Sequence, residues 1–319
     1  VSGAPRCSDG SAAAGEQLAG SAPLARAWVG LEQDGPWGAK AFTASHLDPN
    51  LGALIEARAA AHDVRPVLLR RPGRHADPAD TPRPAATALP GRPRHVLVAH
   101  TAPGRTWLLE GTVADPAEVG ALDWAAAAAG DADAVRRSLP GLSAVHRPLL
   151  LVCTNGTRDL CCAVTGRPLA LGLAGARPGQ VWEVTHTSGH RFAPTAVLLP
   201  AGTLHGRLDV QAAGALLDAA ASGRTVLDDG HRGRSSWPPP GQVAELAVRR
   251  RLGETGLDAL DVLEVAEQGE HAWRCTVSGP DGGRFRVEVR SEADGAVRAE
   301  SCGKAAVPLR RWHAEVHTS

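Results

Sequence analysis

Short apolar runs alternate along this chain with stretches of helical periodicity, and turn residues fall between them. The run Trp28-Val29-Gly30-Leu31 before the turn-rich Asp34-Gly35-Pro36-Trp37-Gly38 predicts a strand entering a loop. Helical spacing from Leu47 to Ala61, after the possible cap Ser45, predicts a helix that Arg65-Pro66 closes before the strand Val67-Leu68-Leu69. Residues 72–94 hold six prolines and little periodicity, the pattern of a surface excursion. Strands are expected at His95-Val96-Leu97-Val98 and Trp107-Leu108-Leu109. The alanine-rich stretch from Pro116 to Leu139 reads as one or two helices ending near Pro140-Gly141.

A second series begins with Leu149-Leu150-Leu151-Val152-Cys153, an apolar run typical of a strand buried on both faces. A helix from about Arg158 to Ala174 follows, then strands at Val181-Trp182-Glu183-Val184, Ala196-Val197-Leu198-Leu199 and Leu204 to Leu208, and a helix from about Asp209 to Ala221. The order β-α-β-β-β-α is close to the thioredoxin topology, a mixed sheet flanked by helices. The first series has a similar order of elements but shares no motif with the second. Beyond Gly223, the polar run Asp228 to Pro240 reads as a linker. It precedes a helix at Val243 to Leu252 and a hairpin of Trp273 to Val277 and Phe285 to Val289 around Pro280-Asp281-Gly282-Gly283. The fold class expected is α/β (α+β) in three parts. These are an N-terminal α/β domain over 1–145, a thioredoxin-like domain with a mixed sheet flanked by helices over 146–224, and a linker with a small α+β domain over 225–319.

Composition narrows the function. Hydrophobic residues at 43% and charged residues at 21% are the balance of a folded chain. Thirty-four basic residues against thirty-four acidic ones leave no net charge to attract nucleic acid or an anionic membrane. The first residues lack the apolar stretch of a secretory signal, and no run of apolar residues is long enough to span a bilayer, so a cytoplasmic protein is expected. Six cysteines stand at 7, 153, 161, 162, 275 and 302. In a reducing compartment such clustering points to metal or redox chemistry more than to a disulfide framework.

Cys153 and Cys162 lie nine positions apart, and His186 and His190 lie four apart after the next strand. Two sulfur and two nitrogen donors suit iron-sulfur or zinc chemistry far better than magnesium or calcium. The histidine pair encloses Ser188-Gly189, so a tight loop is expected in place of a helix. Zinc knuckles usually place paired cysteines about two to four residues apart, which favours a larger inorganic core here. Rieske centres use the same donor set in other motifs. Taken singly, a cysteine at a strand end is most often a small core residue and a histidine a polar surface group. The rival readings are a structural zinc or metal-free interaction module and, last, a thiol redox centre at Cys161-Cys162. Adjacent cysteines form only a strained disulfide.

The segments Leu151-Val152-Cys153-Thr154-Asn155-Gly156, Arg158-Asp159-Leu160-Cys161-Cys162-Ala163 and His186-Thr187-Ser188-Gly189-His190-Arg191-Phe192-Ala193-Pro194 resemble the sucrase/ferredoxin-like family. Softer likeness at Leu31-Glu32, Gly35 to Gly38, Arg232 to Ser235 and Ser301-Cys302-Gly303 extends the resemblance over the whole chain. The resemblance implies a 2Fe-2S cluster held by Cys153, Cys162, His186 and His190, with Cys162 and not Cys161 as the second thiolate. An electron carrier that meets a redox partner such as a reductase is expected more than a stand-alone enzyme. Ser188 and His205 depart from the family pattern, which has Gly and Tyr there. Sucrase chemistry is not supported, because a glycosidase needs two carboxylates flanking a sugar and only Asp159 and Glu183 stand near the motif.

Overall fold

The computed structural model describes residues 6–73 and 92–318, so most of the proline-rich excursion lies outside the described residues. The first half runs α1 (Cys7–Ala13), β1 (Ala27–Glu32), α2 (Pro49–Ala60), β2 (Val64–Arg70), β3 (Arg94–His100), β4 (Trp107–Val113), α3 (Trp124–Ala129), α4 (Ala132–Ser138) and β5 (Leu142–Ala144). The second runs β6 (Leu149–Cys153), α5 (Leu160–Ala174), β7 (Val181–Val184), β8 (Ala196–Leu199), β9 (Thr203–His205) and α6 (Val210–Ala221). Then come β10 (His231–Arg234), α7 (Pro239–Leu252) and a meander of β11 (Asp261–Gly269), β12 (Ala272–Ser278), β13 (Arg284–Ala299) and β14 (Ala306–Thr318).

Local chemistry fixes the boundaries. Asp48, not Ser45, caps α2, its Oδ1 accepting from the Asn50 and Leu51 N–H groups with Pro49 in the first turn. Asp123 and Asp131 cap α3 and α4 separately, with the left-handed Gly130 between them, and a 3-10 turn over Pro116–Ala121 precedes both, so the alanine-rich stretch falls into three pieces.

Ten strands form one sheet in the order β10-β9-β8-β6-β7-β2-β1-β3-β4-β5. In each half the first strand lies parallel to the second and antiparallel to the third, and the third is antiparallel to the fourth. The orders β2-β1-β3-β4 and β7-β6-β8-β9 are therefore the same thioredoxin-like arrangement used twice. Alternating side chains divide the core. Leu68 and Val29 face α2 and α3, and Leu150 and Val152 face α5 and α6, on the same side of the sheet. Trp28, Leu69, Leu151, Trp182 and Val184 form the other face, closed by the segment at Ala22 and Ala25. The run read as a linker instead contributes β10, which pairs with β9 and completes that edge. Its Arg232 and Arg234 are buried and hydrogen-bonded, so a polar sequence marks an internal network and not a solvated tether. The meander is a separate antiparallel sheet packed on α7 through Val243, Leu246, Val277, Val287 and Val289.

The halves join where β2 meets β7, with Leu69 opposite Val184 and Arg70 opposite Glu183. The Arg70 and Glu183 side chains are 3% and 0% exposed. Arg70 Nε and Nη2 donate to Glu183 Oε2 at 2.9 and 2.7 Å, and Thr154 Oγ1 donates to the same oxygen at 3.0 Å. Removing the cation strands a carboxylate in a dry seam. Arg70→Met is expected to destabilise the fold by about 3–5 kcal/mol, read as a lower urea midpoint; an unchanged midpoint would show that the seam does not depend on the pair.

Candidate functional site

Cys153 lies at the carboxyl end of the central strand β6, and the histidines follow the same end of its parallel neighbour β7, where open sheets present chemistry. Cys153 is the last residue of β6, buried, with its N–H bonded to Thr195 O at 2.9 Å. Helix α5 then returns closely over that end. A Cβ on Gly166 would sit 2.3 Å from Cys153 O, so only glycine allows the approach. Asp159 caps α5 by accepting from the Cys161 N–H at 2.9 Å, and Cys162 falls in the first turn, where the helix dipole favours a thiolate. Beyond β7, a loop carries His186, half-buried, to His190, which opens a single 3-10 turn and is buried. The expected tight loop is there.

These four residues gather at one end of the sheet as a ring in which Cys162 touches His190 and His190 stacks on His186. Cys162, His186 and the Thr187 N–H are the groups that act most on the Cys153 thiol. Cys162 Sγ lies 3.4 Å from His190 Nδ1, and the two imidazoles stack with centroids 4.4 Å apart and planes inclined by 23°. These contacts set the charges. The Cys162 thiol, with His186 and the Thr187 N–H, holds Cys153 well below the ordinary thiol value despite burial. The Cys153 thiolate and burial push Cys162 up. Burial, then His186, lowers His190 to about 4, so its imidazole is neutral and able to donate a lone pair at pH 7.

Two buried or half-buried guanidinium groups brace the loop. Arg232 donates to Ser188 O and Oγ at 3.1 and 3.3 Å and to Ser21 Oγ at 3.0 Å, and burial draws its value down to about 9. A Cβ on Gly189 would meet that guanidinium at 2.5 Å, and Gly189 has φ +72°. Ser188 also has a positive φ of 67°, the region that favours glycine, so the departure from the family's Gly is a strained residue whose hydroxyl and carbonyl serve Arg232. Arg65 Nη2 donates to His186 O at 3.3 Å. The outer side of His186 faces an open groove of ≈ 420 Å³ whose charged lining is Lys40, Arg65 and Arg158 with Glu56 and Asp63. His205, the second departure, is buried against His231 with ring centroids 4.6 Å apart, and burial lowers it to about 3.

The adjacent cysteines point to different places. Cys161 Sγ lies 3.5 Å from Cys7 Sγ and 3.3 Å from Cys302 Sγ, away from the ring, and both Cys161 and Cys162 are free thiols. That arrangement disfavours a redox pair between them. One donor atom each from Cys7, Asp159, Cys161 and Cys302 lies within 4.8 Å of the others, close enough for a single metal ion. The carboxylates weighed for sugar chemistry are both engaged, Glu183 with Arg70 and Asp159 with the α5 N-terminus and the Cys302 N–H. Sequence reasoning missed this second group and the two arginines. The signal lay in the cysteine count, since the ring uses two of six.

Fold and pocket together define a thioredoxin-like protein with a buried set of sulfur and nitrogen donors at the sheet's carboxyl end. The chain belongs to the sucrase/ferredoxin-like family, whose model matches residues 18–233. The likeness expected over the whole chain is thus shown for that span, and Cys7 and Cys302 lie outside it. Neither curated proteins nor solved structures gave a match. Among the described residues no helix is long and apolar enough to cross a membrane.

Proposed function

We propose that the protein is an electron carrier holding a 2Fe-2S cluster through Cys153, Cys162, His186 and His190. The observation that carries this reading is the approach of Cys162 Sγ to His190 Nδ1 and the stacking of His190 on His186, beside the buried strand end that carries Cys153. The donors fit the group, since soft thiolates and neutral imidazoles together are the Rieske-type set. When bound, such a cluster supplies a one-electron couple.

The chain's own residues do the rest. Cys153 and Cys162 must both be deprotonated as ligands, so the proton they share leaves on loading. The dipole of α5 and the charges of Arg65 and Arg232 offset the negative sulfurs. Arg232 and Gly189 fix the loop that sets the imidazole orientation. His186 is the ligand nearest solvent, and the groove it lines, with Lys40, Arg65 and Arg158 beside Glu56 and Asp63, is where a redox partner protein such as a reductase would meet the cluster.

Protein assembled anaerobically with iron and sulfide is expected to hold about two irons and two acid-labile sulfides per chain and to be brown. Recovery of zinc without sulfide in the ring would favour the structural-zinc reading and end this one.

A further inference from the structure

Three thiols that take no part in the ring converge from distant parts of the chain. Cys7 comes from α1, Cys161 from the first turn of α5, and Cys302 from the turn between β13 and β14. Their sulfur separations are 3.5 Å (Cys7 to Cys161), 3.3 Å (Cys161 to Cys302) and 3.6 Å (Cys302 to Cys7). Asp159 closes the group, with Oδ2 3.6 Å and Oδ1 3.7 Å from Cys7 Sγ.

Three explanations compete. A disulfide needs sulfurs about 2.05 Å apart, and three thiols leave one over in any pairing. Apolar packing would account for buried cysteines but not for a carboxylate only 4% exposed among them. A tetrahedral zinc ion bound at about 2.3 Å would hold its sulfurs about 3.8 Å apart, a few tenths from the separations observed.

Surrounding bonds hold these donors as ligands need to be held. Asp159 accepts from the Cys161 N–H at 2.9 Å, the Cys302 N–H at 2.8 Å and Ser301 Oγ at 2.7 Å, while Ser8 Oγ donates to Cys161 Sγ at 3.3 Å. One carboxylate therefore positions both neighbouring thiol segments. Four protein donors and compact spacing match a closed structural site, not a catalytic one with an open position.

We propose that Cys7, Cys161, Cys302 and Asp159 bind one structural Zn²⁺, which clamps α1 and the β13–β14 turn onto the front of α5. The ion would sit beside the ring without belonging to it, because consecutive residues, Cys161 and Cys162, face the two sites. Two of its ligands lie beyond the span that the family model matches. The zinc site stands whether or not the ring carries a cluster.

The test uses the full chain given equimolar ZnCl₂ after iron-sulfur assembly and desalted. Metal analysis and zinc K-edge absorption are expected to find about one zinc per chain, with three sulfurs near 2.3 Å and one oxygen near 2.0 Å. Cys7→Ser and Cys302→Ser should each lose the zinc at least tenfold while keeping iron content and visible spectrum. Should either variant fold poorly, alkylation of the wild-type chain replaces it. Cys7, Cys161 and Cys302 should be protected with zinc and modified after chelation. Protein with about two irons and no retained zinc, or a disulfide between any two of the three cysteines, would overturn this proposal alone. Zinc bound by two sulfurs and two imidazole nitrogens would place it in the ring and overturn both readings.

Discussion

Cys162→Ser is expected to strip the protein of its iron, from about two atoms per chain to below about a tenth of that, whereas Cys161→Ser keeps the iron and the visible spectrum. The two residues are neighbours in sequence, so local flexibility or helix propensity cannot separate them. Direction can. Cys162 Sγ faces Cys153 and His190, while Cys161 Sγ faces Cys7 and Cys302. Serine at 162 offers a hard oxygen, protonated at neutral pH, to a soft iron-sulfur core. Serine at 161 retains the backbone N–H that Asp159 accepts, so the start of α5 stays capped. Iron and sulfide assays with absorption spectra decide the matter, and the reverse outcome would make Cys161 the ligand.

The residues of the proposed site can be read from the sequence because they lie in short local motifs. Cys153 ends an all-apolar strand, and such a strand in an α/β order is central, with its carboxyl end open to ligands. The next strand of the same unit must lie parallel and adjacent, which brings the residues after Val184 beside Cys153. Topology alone therefore predicts that His186 approaches the cysteines. Helix α5 adds the direction of Cys162. The thioredoxin-like order could be read for the same reason, since periodicity sets each element and right-handed crossover sets the pairing.

What periodicity does not carry is contact between distant segments. The β2–β7 seam depends on which edges of two similar halves meet, and Arg70 and Glu183 stand 113 positions apart. Strand β10 was hidden because its residues are polar. Arg232 and Arg234 donate to backbone carbonyls and, for Arg232, to serine hydroxyls inside the protein, so burial left no apolar signature. Cys7 and Cys302 are 295 positions apart and belong to no short motif. Only the fold shows that the β13–β14 turn reaches back to α1. Ser188 is intermediate: its departure from glycine is visible in the sequence, but the positive φ that makes glycine the natural choice needs the backbone.

Replacing His186 or His190 with cysteine is expected to lower the reduction potential by on the order of 100 mV or more in variants that keep a cluster. Each exchange puts an anionic thiolate where a neutral imidazole stood, so adding an electron meets one more negative charge. Burial strengthens the penalty at His190, whose surroundings already disfavour charge. The same imidazoles link the potential to pH. An imidazole on ferric iron loses its outer N–H proton more readily than one on ferrous iron, so reduction takes up a proton wherever the oxidised form has lost one. The sign follows. At low pH both forms are protonated and the potential is flat. Above the oxidised form's pKa it falls with rising pH by up to about 59 mV per unit, until the reduced form also deprotonates. His186 is half-buried and faces the groove, where water can stabilise its deprotonated ring better than the buried surroundings of His190 can, so His186→Cys should flatten the slope more than His190→Cys. Protein-film voltammetry between about pH 6 and 10 reads both effects in one series. A wild-type potential independent of pH and unmoved in either variant would remove the histidines from the ligand set.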